Sequence, residues 1–136
     1  MDPCGNVVRS RMEFRVVLTV PDFDEAVAFY RDTLGLEQLA DWSGDDGRVI
    51  LLDGGRATIE LFDEHQAESV DRIEAGQRVS GPVRLAVEVT DLDGAVQRLV
   101  AAGAEAVAEP VVPPWGGRNA RLLTPDGLQL TLFSEG

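Results

Sequence analysis

Cysteine and histidine are almost missing from this chain, and the shortage removes most disulfide and metal chemistry. Cys4 stands alone, so no internal disulfide can form. With His65 as the single histidine, a Cys/His zinc site lacks donors. Basic residues are scarce too: 12 Lys+Arg against 24 Asp+Glu give a net charge of −12. No basic run is available to displace counterions along a phosphate backbone, so no nucleic acid partner is expected. The same acidity favours solubility and would draw a cationic ligand. No run of about 18 apolar residues occurs, so no membrane partner or span is expected. The opening MDPCGNVVRSR has no apolar core of a signal peptide, which makes a cytoplasmic location the expectation. Residues 1–11, ahead of Met12, are expected to be a loose arm.

What is present reads as a repeat. At 136 residues, 44% hydrophobic and 26% charged, the chain suits one domain or two small halves sharing a core. FRVVLTV, from 14, is a β-branched strand. Pro21-Asp22 ends it, and Asp22 or Asp24 can cap the next helix. In DEAVAFYRDTLGL, apolar residues at 26, 27, 29, 30 and 34 have helical spacing, and Gly35 can stop the helix. Core packing is the duty expected of Phe29. VRLAVEVTDLDGAVQRLVAAGAE, from 83, repeats this pattern 69 residues on, matching Arg15 to Arg84, Val20 to Val89, Asp22 to Asp91 and Val27 to Val96. The later phrases LLDGGRATIELF and LLTPDGLQLTLF match at an offset of 71, with Leu51-Leu52 on Leu122-Leu123 and Glu60 on Thr131. Each copy therefore predicts a strand–helix–strand–strand–strand unit. The first module is expected over 12–64 and the second over 80–136. Between them, the polar, acidic segment 65–79 predicts a linker with one short helix.

This layout resembles the vicinal oxygen chelate superfamily of glyoxalase I, extradiol dioxygenases and bleomycin-resistance proteins. The carriers are FRVVLTVPDFDEAVAFYRDTLGLE, PVRLAVEVTDLDGAVQRLVAAGAE and PPWGGRNARLLTPDGLQLTLF. The resemblance implies an α+β fold in which two tandem βαβββ modules form a cupped mixed sheet with helices on the outer face. It also implies a homodimer, and a ligand held in the cup.

Alternation along the strands separates two faces. Val16, Leu18, Val20, Ile59, Leu61, Leu85, Val87, Val89, Leu128, Leu130 and Leu132 form an aliphatic face expected under the helices. The opposite face carries Arg15, Thr19, Thr58, Glu60, Arg84, Glu88, Gln129 and Thr131, with Val17, Phe62, Ala86 and Phe133 between them. Apolar walls with a few polar groups suit a ligand site. Metal-dependent members of the superfamily hold a divalent ion in the cup, on His or Gln of the first strands and Glu of the last. Those positions fall here on Arg15, Glu60, Arg84 and Thr131. Guanidiniums offer no lone pair and repel a cation, so no metal and no cofactor is expected.

Two uses remain for the arginines. Glu60 can plug the old metal position by pairing with Arg15, Arg84 or both, or a surplus guanidinium can grip an anionic or carbonyl-bearing ligand. Trp115, in PPWGGR, is either a ring across the cup mouth or a cover for the core. Trp42 is expected as a loop or edge residue, and His65 as an inert exposed one. A Glu60/Glu88 acid–base pair is geometrically conceivable. The reading that follows is a metal-free member binding a small organic molecule, cationic or planar, in the manner of drug sequestration. The alternative is a lyase, isomerase, cyclase or dioxygenase-like enzyme acting on a small metabolite.

Overall fold

The computed structural model describes residues 12–135; the arm expected over 1–11, with Cys4, lies outside them. The first half runs β1 (Phe14–Thr19), α1 (Phe23–Val27), β2 (Glu37–Asp41), β3 (Val49–Asp53) and β4 (Thr58–Phe62). After α2 (Glu64–Ala75), the second half repeats it as β5 (Val83–Glu88), α3 (Leu92–Ala101), β6 (Glu105–Ala106), β7 (Arg118–Leu123) and β8 (Gln129–Ser134). The eight strands of the described residues make one mixed sheet in the order β2-β3-β4-β1-β5-β8-β7-β6.

The duplication is written into the register. β1 runs antiparallel to β5, with Val16 opposite Leu85, Arg15 opposite Ala86 and Val17 opposite Arg84. Val16 and Leu85 are themselves equivalent residues of the two halves, so an approximate twofold axis passes between them. β1 pairs in parallel with β4, and β5 with β8 in the same way: Val17 lies beside Glu60, and its counterpart Ala86 lies beside Thr131.

One alignment needs correcting. Leu51 pairs with Glu60, whereas the residue pairing with Thr131 is Arg121. The true offset between β3 and β7 is therefore 70, and Leu51-Leu52 corresponds to Arg121-Leu122. The cause is the hairpin loop, 54–57 in the first half and 124–128 in the second, which is one residue longer. Because sidedness has a period of two, that residue transfers Arg121 from the aliphatic face to the polar one.

Most of the aliphatic face packs as expected, with Val16, Leu85 and Leu128 outside the two clusters under the helices. α1 brings Phe23, Ala26 and Val27 onto Ile50, Leu52 and Leu61. α3 brings Leu92 and Ala95 onto Ala120, Leu122 and Leu132. Asp22 and Asp91 cap the two helices at equivalent places, accepting from the N–H groups of Glu25 and Gly94 at 3.0 and 3.1 Å. Phe29 departs from expectation: it is 57% exposed, and its ring stands edge-to-face with that of Tyr30, 5.1 Å between ring centres. α1 gives way after Val27 to a π-helical turn over Ala28–Thr33, in which the Leu34 N–H donates to the Phe29 carbonyl at 2.8 Å. The wider turn breaks the 3.6-residue phase, so Phe29 and Leu34 rotate outward while Tyr30 stays against the core.

The third helix lies on the opposite face. α2 occupies most of the segment read as a linker, and its side chains at 67, 70, 71 and 74 are buried. Ala67 and Val70 pack with Val17, Val49, Phe62 and Ala86, which are residues of the polar face. Asp63 fixes the helix start by accepting the Gln66 N–H at 2.8 Å, and Gly76, at φ 80°, ends it.

Candidate functional site

Between α2, the polar face of the sheet and two loops lies a cavity of about 720 Å³. Its sheet wall carries Arg15, Glu60, Phe62, Arg84, Ala86, Thr131 and Phe133. Trp42 and Asp45-Asp46 stand on one loop and Trp115 on the other; all four are exposed, which puts them at the mouth. The structure thus brings Arg15, Glu60, Arg84, Thr131, Trp115, Phe62 and Phe133 to one space. Glu88 is the exception among the expected residues. It does not line the cavity, and its carboxylate instead accepts the Glu13 N–H at 3.3 Å, so the Glu60/Glu88 arrangement is not formed. Trp42, expected at a loop or edge, joins the cavity lining, while His65 is exposed in the first turn of α2.

The four positions of the chelating pattern meet as two equivalent pairs with different outcomes. In the first half, Arg15 Nη1 lies 3.8 Å from Glu60 Oε1, an ion pair without a hydrogen bond. Arg15 donates instead to Glu13, from Nε at 2.7 Å and from Nη2 at 3.1 Å. Its guanidinium carbon sits 4.9 Å from the Phe133 ring centre and 5.4 Å from that of Trp42. Burial alone would lower the Arg15 pKa, but Glu13 and Glu60 reverse it, and the group stays charged.

In the second half, Thr131 replaces the carboxylate. Arg84 Nη1 donates to Thr131 Oγ1 at 2.7 Å, and the guanidinium lies 5.4 Å from the Phe62 ring centre. No carboxylate lies within 4.0 Å of Arg84 among the described residues. Burial pulls its pKa down. Glu60 is equally buried, and burial raises its carboxyl pKa, with Arg15 and Arg84 only partly opposing that rise.

Sequence reasoning missed the largest cluster here. Arg121, whose side chain is fully buried, donates to Asp71 Oδ1 at 2.9 Å and to Glu74 Oε1 from Nε at 3.0 Å and Nη2 at 2.9 Å. Asn119 donates to the other Glu74 oxygen at 2.7 Å, and the Thr131 hydroxyl donates to Oε1 at 2.7 Å. Burial by itself would raise the Asp71 pKa, but hydrogen bonds from Ser80 and Val79 and the Arg121 charge bring it down to about 2. The available signal was the spacing 67, 70, 71, 74, one stripe of a helix. Half of that stripe is acidic, which made it resemble a solvated face.

A divalent ion does not fit this donor set. Two of the four positions are guanidiniums, Thr131 is already bonded to Arg84 and Glu74, and Glu60 is one carboxylate. Among the described residues no three His, Cys, Asp or Glu side chains are grouped to hold a metal.

Comparison with known proteins agrees with this architecture. The family model described as Glyoxalase/Bleomycin resistance protein/Dioxygenase superfamily matches residues 14–132. Among solved structures, a hypothetical protein from Bacillus halodurans C-125 is 18% identical, covering 93% of this chain and 96% of its own, with a TM-score of 0.68. A superfamily member from Vibrio splendidus 12B01 is 17% identical over 90% of this chain and 98% of its own, TM-score 0.63. Methylmalonyl-CoA epimerase from Mycobacterium tuberculosis is 26% identical over 92% and 87%, TM-score 0.62. No curated protein matches.

Proposed function

The chain belongs to the Glyoxalase/Bleomycin resistance protein/Dioxygenase superfamily, and on that premise we propose that its cavity binds a small organic molecule without a metal. The observation that carries this reading is Arg84: a buried guanidinium on the cavity wall whose one hydrogen-bond partner among the described residues is a hydroxyl. Leaving such a group undersatisfied is costly, and a ligand oxygen relieves that cost. Phe62, Phe133, Trp42 and Trp115 supply flat apolar surface around it. Drug sequestration is the form of binding that suits this cavity and the acidic surface. The reading also takes the protein to be a cytoplasmic homodimer; Phe29, Leu34 and Leu39, each at least half exposed, offer apolar surface for the contact.

The test is a thermal-shift screen of planar antibiotics and small keto acids, with and without divalent cations, followed by tryptophan fluorescence. A compound that raises the melting temperature equally in both conditions and is recovered unchanged supports binding. No hit across the panel, or hits only with a divalent ion present, overturns the reading. A second reading, a metal-independent enzyme, is favoured by one observation: Glu60, with its raised pKa, faces the same cavity as Arg84. Turnover of a hit that is lost in Glu60→Gln would decide for it.

A further inference from the structure

Two buried groups of opposite charge type face this cavity without meeting. Glu60 and Arg84 flank Val17 in one row across β4, β1 and β5. That row sets their Cα atoms roughly 10 Å apart, two strand spacings. Val17 is too short to bridge them, and Arg84 leans the other way, onto Thr131. Glu60 has no hydrogen-bond donor among the described residues, its nearest cation being Arg15 at 3.8 Å. The wall between them therefore lacks an acceptor at one end and a donor at the other.

We infer that the ligand's polar head bridges this gap, presenting an acceptor oxygen to Arg84 and an N–H donor to Glu60, as an α-amino carboxylate or a primary carboxamide does. This rests on the reading of the cavity as a binding site. A plain carboxylate would satisfy Arg84 but bring like charge to Glu60, and a plain amine would reverse the conflict. Only a head carrying both functions meets both ends. The flat remainder of the molecule then runs toward Trp42 and Trp115 at the mouth.

Four probes with one phenyl body test this on the full chain by calorimetry and tryptophan fluorescence. They are phenylalanine, 3-phenylpropionamide, 3-phenylpropionate and 2-phenylethylamine. Phenylalanine or the amide should bind about tenfold or more tighter than either single-function probe, the value of one charge-assisted hydrogen bond. Phenylalanine leading identifies a zwitterionic head, and the amide leading a neutral one. Glu60→Gln should cancel the advantage over 3-phenylpropionate, whose own binding should tighten as the like charge disappears. Arg84→Met, which removes the donors, should cancel the advantage over 2-phenylethylamine. Equal affinity for all four, no binding by any, or an advantage that survives Glu60→Gln overturns the inference. The binding reading falls separately, on an empty screen of the wider planar panel.

Discussion

Arg15 and Arg84 hold equivalent places, yet only Arg15 has a carboxylate from its own half. The change from Glu60 to Thr131 between the repeats leaves Arg84 with a hydroxyl, and Glu74 of α2 stands behind that hydroxyl. Asp71 shows what such pairing does to stability. Its pKa falls from 3.8 to about 2, so the unfolded chain takes up the proton first as pH drops. Its stabilisation is whole above about pH 4 and is lost toward pH 2. Asp71→Asn should flatten that part of the acid-denaturation profile and cost about 1–3 kcal/mol at neutral pH, since Arg121 keeps Glu74 but loses one charged partner. Denaturant titrations across pH check it. Glu60 has the opposite sign: burial raises its pKa, so folding loses stability as pH climbs above 4.5, the ordinary carboxyl value. Glu60→Gln should melt higher than the parent protein at pH 8, with the gap closing in acid. A lower melting temperature at pH 8 would refute that account.

At the scale of elements, α2 turns the segment expected as a linker with one short helix into a twelve-residue helix that walls the cup. It seats its stripe against β4 and β7 and lines one side of the cavity with Gln66, Val70 and Glu74. Its start rests on Gly47, whose φ is 130° and where an added Cβ would come within 2.3 Å of the Gln66 backbone nitrogen. Backbone cannot yield as a side chain does. Gly47→Ala should destabilise the protein by about 1–3 kcal/mol and speed hydrogen exchange in 64–75 ahead of the sheet. The two loops at the mouth predict a separate effect. Trp42→Ala or Trp115→Ala should weaken binding of a planar ligand about tenfold, in line with one aromatic contact, while the melting temperature of the free protein stays nearly unchanged, because both rings are about half exposed.

For the whole molecule, the twofold relation between the halves places four side chains round one hollow, and their chemistry then decides what it can hold. With guanidiniums at two of those places, elemental analysis of purified protein should find no stoichiometric zinc, nickel, manganese or iron. An equivalent of metal lost in Glu60→Ala would sink the metal-free reading. No helix among the described residues is long and apolar enough to cross a membrane.

Strand sidedness, the repeat and a capping aspartate at 22 or 24 were legible in the sequence, because each depends on residue patterns within one short segment. Those patterns alone determined which aliphatic side chains pack under α1 and α3, and they placed Arg15, Glu60, Arg84 and Thr131 on one face. Three features belong to tertiary structure. Phe29 turns outward because a π turn resets the helical phase. Arg121 faces inward because the 124–128 loop has one residue more than its counterpart. α2 enters the cup because Asp71 and Glu74 share one buried cation, Arg121 on the distant strand β7, and a carboxylate read along its own chain looks the same whether water or a buried guanidinium awaits it.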